Sequence, residues 1–498
     1  MRTRFSGLAA LFACSLVAPV SAQPSCQPNI APAALNGRRP VEIDPGVHPC
    51  GFLQFAWQDF IALNWPPVAP NPNNTTARAR GLPDSGKVIG QGANDNPTVW
   101  EQSQPNWYLF WANNPPAAAV DGKSFAAWNQ DAWLPAACGP LKLNLPAGAA
   151  PPRILSSLSK FDGMPGVVQA SSAPLIDQNG FYTRYEILMD YPAFNYINSN
   201  RFYLLPRVQA FAQNGQPFNF PVQSGNTPGA TFLKAAWKPL LAADINSGRY
   251  HTAQAFLYTP AFGNVSASCA GPVPVGLVGL HIVHKTQDFP QWMWATFEHI
   301  DNTPADPALP GLPPPQGWSF FSPGSTKTPN QGAKCPDGTS PAGACDFQPT
   351  SSHMGTNPND RTGGPTQASR LNPIQKSQNQ PALGEINAAV QTALKQINPN
   401  TVWQLYQLVE AQWQSEAPPQ PPCTAKTGFF PACRVANMVM ETYTQRGSCM
   451  ACHKPATAPF RGSPQVESDL TFELDLAWAL PPPLPASRVP ALAPGGVR

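Results

Sequence analysis

The stretch VPVGLVGLHIVHKT, residues 273–286, decides how this chain is read. It is rich in valine, leucine and isoleucine and bounded by proline and glycine, which is the pattern of a buried β-strand. YTRYEILMD (182–190) alternates like a strand, and TFLKAAWKPL (231–240) and HTAQAFLYT (251–259) look like further strands bounded by Pro or Gly. PAFNYINSN (192–200), directly after the first of these, resembles a helical turn. Together they predict an α+β fold: a β-rich body with mainly antiparallel strands, a few short helices and many Pro-rich loops.

Working outward, GFLQFAWQDFIALNW (51–65) predicts a short buried helix ended by Pro66. A polar loop follows over 66–97, and the five tryptophans between Trp100 and Trp133 suit core packing. Downstream of the opening stretch, Pro290–His299 reads as a short helix with Pro290 in its first turn. Residues 303–375 form a long Pro/Gly/Ser-rich surface excursion. LGEINAAVQTALKQI (383–397) has helical spacing, whereas TVWQLYQLVEAQW (401–413) alternates like a strand interrupted at Gln407. VANMVMETYTQR (435–446) is expected to be a C-terminal helix leading into the sequence RGSCMACHKPA (446–456).

The first residues combine Arg2 and Arg4, an apolar run from Phe5 to Val20 and the small-residue site Val20-Ser21-Ala22. That is an export signal over 1–22, so the chain is expected in the periplasm or outside the cell. Leu11-Phe12-Ala13-Cys14 loosely resembles a lipoprotein signal, although Phe12 is bulky for that site. The remainder divides into one large α+β domain, 23–480, with room for a sub-boundary in 303–375, and a Pro-rich tail, 481–498. No other stretch reaches the 18 apolar residues of a membrane span. Removing Arg2 and Arg4 takes the basic count from 31 to 29 against 28 acidic residues. Only 12% of residues are charged, half the usual share of about 25%, so neither nucleic-acid binding nor a polybasic membrane patch is supported.

Eleven cysteines are present. Cys14 leaves with the signal, and Cys449 and Cys452 belong to a Cys-x-x-Cys-His motif ending at His453. The eight others suit four disulfides in an oxidising compartment. Cys335 with Cys345 and Cys423 with Cys433 look local, leaving Cys26 with Cys50 and Cys138 with Cys269, although spacing alone does not fix connectivity.

In a Cys-x-x-Cys-His motif, two thiols three residues apart reach the two vinyl groups of one porphyrin, and the adjacent histidine faces the iron. Cys449 and Cys452 would then anchor one covalent haem c, with His453 as the proximal iron ligand. A zinc site drawing on Cys423, Cys433, Cys449 and Cys452 lacks a second short Cys-x-x-Cys knuckle. A thioredoxin-like pair would need a strand before it. GSCMACHK (447–454) resembles the haem-binding motif of c-type cytochromes. The strands, GLHIVHKT (279–286) and WATFEHIDN (294–302) look similar to large bacterial cytochrome c-family proteins. The chain departs from the small cytochromes: 45 residues follow His453, none of them Met or His. Any second axial ligand must therefore come from upstream.

His281, His284 and His299 are the candidates for that distal position. On a strand, His281 and His284 point to opposite faces, so at most one of them serves a given pocket. Met354 is a further candidate on a loop. Glu298 with His299 could instead form an acid/base pair beside an open iron, or a surface polar pair at a helix end. Lys234 and Lys238 share one strand parity; a lysine there could approach the haem propionates, but a solvent-facing edge strand explains them more simply. There is no Ser/His/Asp order, Walker loop or dinucleotide fingerprint. The sequence thus points to an exported mono-haem cytochrome that passes single electrons to a periplasmic redox partner protein. A haem-dependent peroxidase or oxygenase acting on a small-molecule substrate, and a haem-based ligand-binding or sensor protein, are the alternatives.

Overall fold

The structure, a computed structural model, describes residues 32–43, 50–68, 80–90, 97–110, 128–129, 138, 153–156, 175–215, 217–259, 268–289, 292–332, 365–374, 383–412, 435–447, 449, 457–458 and 466–467. The expected signal peptide (1–22), the Pro-rich tail (481–498), Cys452, His453 and Met354 lie outside these residues.

Helix α1 (Cys50–Leu63) forms in the apolar run before Pro66. Strand β1 (Gln104–Pro105), helix α2 (Asn106–Phe110), β2 (Arg153–Ser156) and β3 (Arg184–Met189) come next. The expected helical turn after β3 is a full helix, α3 (Tyr191–Asn200). Its first turn is capped by the Asp190 carboxylate, which accepts from the Ala193 N–H at 3.1 Å. Then come α4 (Leu205–Gln213), β4 (Thr231–Pro239), α5 (Ala242–Ser247), β5 (Thr252–Thr259), β6 (Ser268–His284) and β7 (Met293–His299). Helix α6 (Leu383–Ile397), β8 (Tyr406–Gln412) and the two-residue strands β9 (Thr457–Ala458) and β10 (Val466–Glu467) complete the series.

Eight strands form one sheet in the order β1-β3-β4-β6-β5-β2, with β7 added to β6 and β8 to β7. All pairings in it are antiparallel except β2 with β5. Residues 273–284 of the opening stretch lie in β6, a 17-residue strand that is the spine of this sheet. One of its edges carries β4, from Thr231↔His284 to Pro239↔Val275. The other edge is shared end to end by β5 and β7.

Because side chains alternate, the sheet has two buried faces. On the first, Leu280, Ile282 and Phe297 pack beneath α1 and α6. Phe60 of α1 stacks on Phe297 with ring centroids 4.2 Å apart. Burying each such side chain stabilises the fold by about 1.5–3 kcal/mol. On the second face, Phe232, Val283 and Trp294 lie in an aromatic cluster with α3 and α4, and Ala236 packs with Met438–Met440.

Several expectations need correction. Pro290–His299 is not a helix, since Met293–His299 is strand β7, held between β6 and β8. All seven of its residues are buried, so no polar face marked the two-residue period. Residues 401–413 are strand only from Tyr406; Val402–Leu405 form a 3-10 turn capped by Thr401. Lys234 and Lys238 are not on an edge, because β4 lies between β3 and β6 and both side chains are buried. Residues 435–446 form turns rather than a helix, although Cys449 itself is helical. A haem-bearing C-terminal helix over 435–446 is therefore not what this segment forms.

Of the expected disulfides, Cys138–Cys269 is present. Cys26, Cys335, Cys345, Cys423 and Cys433 lie outside the described residues. Among the described residues no helix is long and apolar enough to cross a membrane.

Candidate haem-attachment site

Strand β6 does send His281 and His284 to opposite faces. His284 lies beneath α1, where its Nδ1 is 2.9 Å from Asp59 Oδ2. Arg39 completes this node with a 2.8 Å bond to Asp59 and a 3.1 Å bond to Asp190. Burial works to raise the Asp59 carboxyl, but Arg39 and His284 outweigh it and hold it at about 2. His299, also on the first face, donates from Nε2 to the Arg249 carbonyl at 3.0 Å. Its Nδ1 accepts the Asp301 N–H at 3.1 Å, and its ring stacks on Tyr250 at 4.4 Å. Burial pushes its imidazole down to about 4, so it is neutral, and both nitrogens are engaged. Neither His284 nor His299 faces the C-terminal segment.

Glu298 points away from His299, towards that segment, and is fully buried. It accepts from the Met438 N–H at 3.1 Å and from Gln407 Nε2 at 3.3 Å, and it pairs with Arg370. The expected acid/base pair therefore does not exist, and neither does the surface pair: alternate strand positions separate two buried groups. Lys238 is held by Asp244 at 3.4 Å and Asp177 at 3.8 Å, within a buried ionic cluster.

The second face carries a polar row across four strands. Lys234 is in register with His281, His281 with Thr296, and Thr296 with Glu410. Residues 437–441 lie over this row. His281 Nε2 is 3.0 Å from Glu441 Oε1, and Asn437 Nδ2 donates to Thr296 Oγ1 at 2.9 Å. The Asn437 N–H donates to Glu441 Oε2 at 3.0 Å. Burial acts to raise the Glu441 carboxyl, yet His281, Lys234 and the Asn437 amide together hold it below the usual range. The Lys234 ammonium sits 5.1 Å from the Tyr185 ring, whose hydroxyl donates to the Val439 carbonyl at 2.7 Å. Gly279 makes the close approach possible, since a Cβ there would lie 2.5 Å from Val439 Cγ2. Thus the segment leading into the Cys-x-x-Cys-His motif is fastened to the sheet.

Cys449, the first cysteine of the motif, is partly buried against the aromatic cluster that includes Val283, Trp292 and Trp294. Val283 lies two residues from His281 on the same face of β6, so of the three distal candidates His281 is the one on the Cys449 side of the sheet. Strand β9, just after the motif, packs against α4 on the same layer.

The cluster is close-packed, with Trp292, Phe220 and Phe232 each exposed by no more than 2%. Its side chains are mostly aromatic, and two of its buried indole nitrogens, Trp128 Nε1 and Trp292 Nε1, have no hydrogen-bond partner among the described residues. An unmatched buried donor costs about 1–3 kcal/mol, which an acceptor on a bound group would offset. Trp292 also has φ 69°, a conformation that costs a bulky residue about 1–3 kcal/mol. Among the described residues no cluster of three or more His, Cys, Asp or Glu side chains could hold a metal ion. A surface cleft of about 790 Å³ opens at the C-terminal end of α6, beside Arg249, Lys395 and Thr401, and Cys449 is not among its described lining residues.

Sequence reasoning missed Glu441, Asn437 and Trp292. Nothing in the local sequence pairs residue 441 with residue 281, and an indole without an acceptor becomes visible only when its surroundings are known. No family model, curated protein or solved structure matches this chain.

Proposed function

We propose that this chain is an exported mono-haem c-type cytochrome that transfers single electrons, with Cys449 and Cys452 as covalent anchors and His453 as proximal ligand. The observation that carries this reading is the seat of Cys449 against an aromatic cluster with unmatched indole donors, at the end of a segment fastened to the sheet. A haem held there supplies a one-electron iron couple. The chain's own part is to exclude water with Phe220, Phe232 and Trp294, to orient the motif through Asn437 and Glu441, and to present His281 from the sheet. Residues 442–466 around the motif contain Arg446, Lys454 and Arg461 but no acidic residue, which favours a redox partner with an acidic surface.

The test is the haem-loaded protein, denatured and separated by size. Haem should remain covalently bound in the native sequence and be lost in the Cys449→Ala/Cys452→Ala double variant; haem retained by that variant would refute the attachment. A second reading, a haem peroxidase or oxygenase with an open sixth position, is favoured by one contact: His281 is already engaged by Glu441. Optical spectra of the reduced protein with and without carbon monoxide separate the two, because a doubly ligated iron leaves the spectrum unchanged.

A further inference from the structure

We infer that the cleft at the C-terminal end of α6 binds a sugar acid, a small monocarboxylate that carries several hydroxyls. The inference goes beyond the haem reading and does not depend on it. At about 790 Å³ the cleft lies within the range of about 300–1,000 Å³ usual for small-molecule sites. Three pieces of chain meet there: Gly90, the end of α5 with the adjoining Gly248 and Arg249, and residues between Lys395 and Leu405. Gly90 lets the first abut the third, since its φ is 72° and a Cβ there would fall on Thr401 Oγ1. The Asn398 side chain donates to the Gly90 carbonyl, and Gln404 Nε2 donates to the carbonyls of Pro399 and Thr401 at 2.7 and 2.9 Å. The chain's own bonds thus hold the cleft in shape.

Charge decides the kind of ligand. Among the described lining residues Arg249 and Lys395 carry charge, and none is acidic. Arg249 is bound through Nε and Nη2 to Asp301, each at 2.6 Å, which fixes the guanidinium and leaves Nη1 without a partner among the described residues. Lys395 is exposed and has no carboxylate partner among them. Two cations against the single Asp301 carboxylate suit one further carboxylate better than a phosphate dianion. The rest of the surface favours hydroxyls. Pro399 has no N–H to give the Lys395 carbonyl, and the Asn400 N–H goes to Asn398 Oδ1 at 3.0 Å, so α6 ends on open acceptors. Ligand hydroxyls satisfy such carbonyls, whereas the negative end of the helix repels a second anionic group.

The full-length protein, titrated by calorimetry at low ionic strength with D-galacturonate and D-gluconate, should bind at least one of them saturably. D-Galactose carries the hydroxyls alone and acetate the carboxylate alone, and each should bind at least about tenfold more weakly. Lys395→Gln should weaken the sugar acid by a similar factor, and Lys395→Arg should restore most of the affinity. Because Lys395 is exposed, the Gln variant should keep the native circular dichroism spectrum. No saturable binding of either sugar acid, equal affinity for acetate or galactose, or binding unchanged in Lys395→Gln would overturn the inference. Inorganic phosphate binding more tightly than both sugar acids would overturn the assignment to a carboxylate. Covalent haem content is read separately, so failure here leaves the haem reading standing.

Discussion

His299 ties stability to pH chiefly through burial, which outweighs the opposing pull of Asp301. Its folded imidazole takes a proton only near pH 4, whereas an unfolded one does so near 6.5. Its contribution is therefore fully present above pH 6.5 and is lost as pH falls to 4, a change on the order of 3 kcal/mol. Urea midpoints over that window should fall steeply in the native protein and less steeply in His299→Gln. Asp59 acts lower: held at about 2 by Arg39 and His284, its contribution persists above its usual value near 4 and disappears as pH drops through 2. Asp59→Asn should destabilise the protein at pH 7 by about 3 kcal/mol, because Arg39 and His284 lose a buried partner. A urea midpoint within error of the native one would contradict this. At this scale the sequence showed which residues could titrate but not their state. A partner two hundred residues away, as with Asp59 and His284, leaves no local trace.

Among the elements, the junction of β6 with residues 437–441 carries the clearest prediction. Gly279→Val should force Val439 away from the sheet and destabilise the protein by about 1–3 kcal/mol, read from a urea transition. Asn437→Ala removes bonds to Thr296, the Phe297 carbonyl and the Val439 N–H, and should speed hydrogen exchange at residues 435–447 ahead of the sheet. Equal exchange in both proteins would show that Asn437 does not fasten the segment. This junction also explains why 435–446 misleads a sequence reading. Its apolar spacing suits a helix, but the Asn437 side chain takes the Val439 N–H and its backbone carbonyl takes those of Met440 and Glu441. Strand β7 misleads for a different reason: buried on both sides, Met293–His299 shows no alternation. By contrast α1, α6 and strands β3 to β6 were legible, since each is an apolar stretch of suitable length between turn or polar residues.

At the scale of the molecule, Cys138–Cys269 closes 131 residues of sequence and joins the end of β6 to a segment far upstream. The Cys138→Ser/Cys269→Ser protein should lose about 3–5 kcal/mol, visible as a lower Tm than that of the native protein. An unchanged Tm would mean that the packed sheet already restrains that loop. The sequence by itself determined the β-rich α+β body, the main helices, the Cys-x-x-Cys-His motif and the opposite facing of His281 and His284. These follow from local periodicity and covalent spacing, which are properties of neighbours in the chain. Only the tertiary structure decided that β4 is central, that His284 and His299 are engaged elsewhere, and that His281 lies on the Cys449 side of the sheet. It likewise decided that Glu298 and His299 face opposite sides of the sheet. Each depends on which distant side chains burial brings together, and hydrophobic burial is non-directional, so no short stretch of sequence specifies its partner.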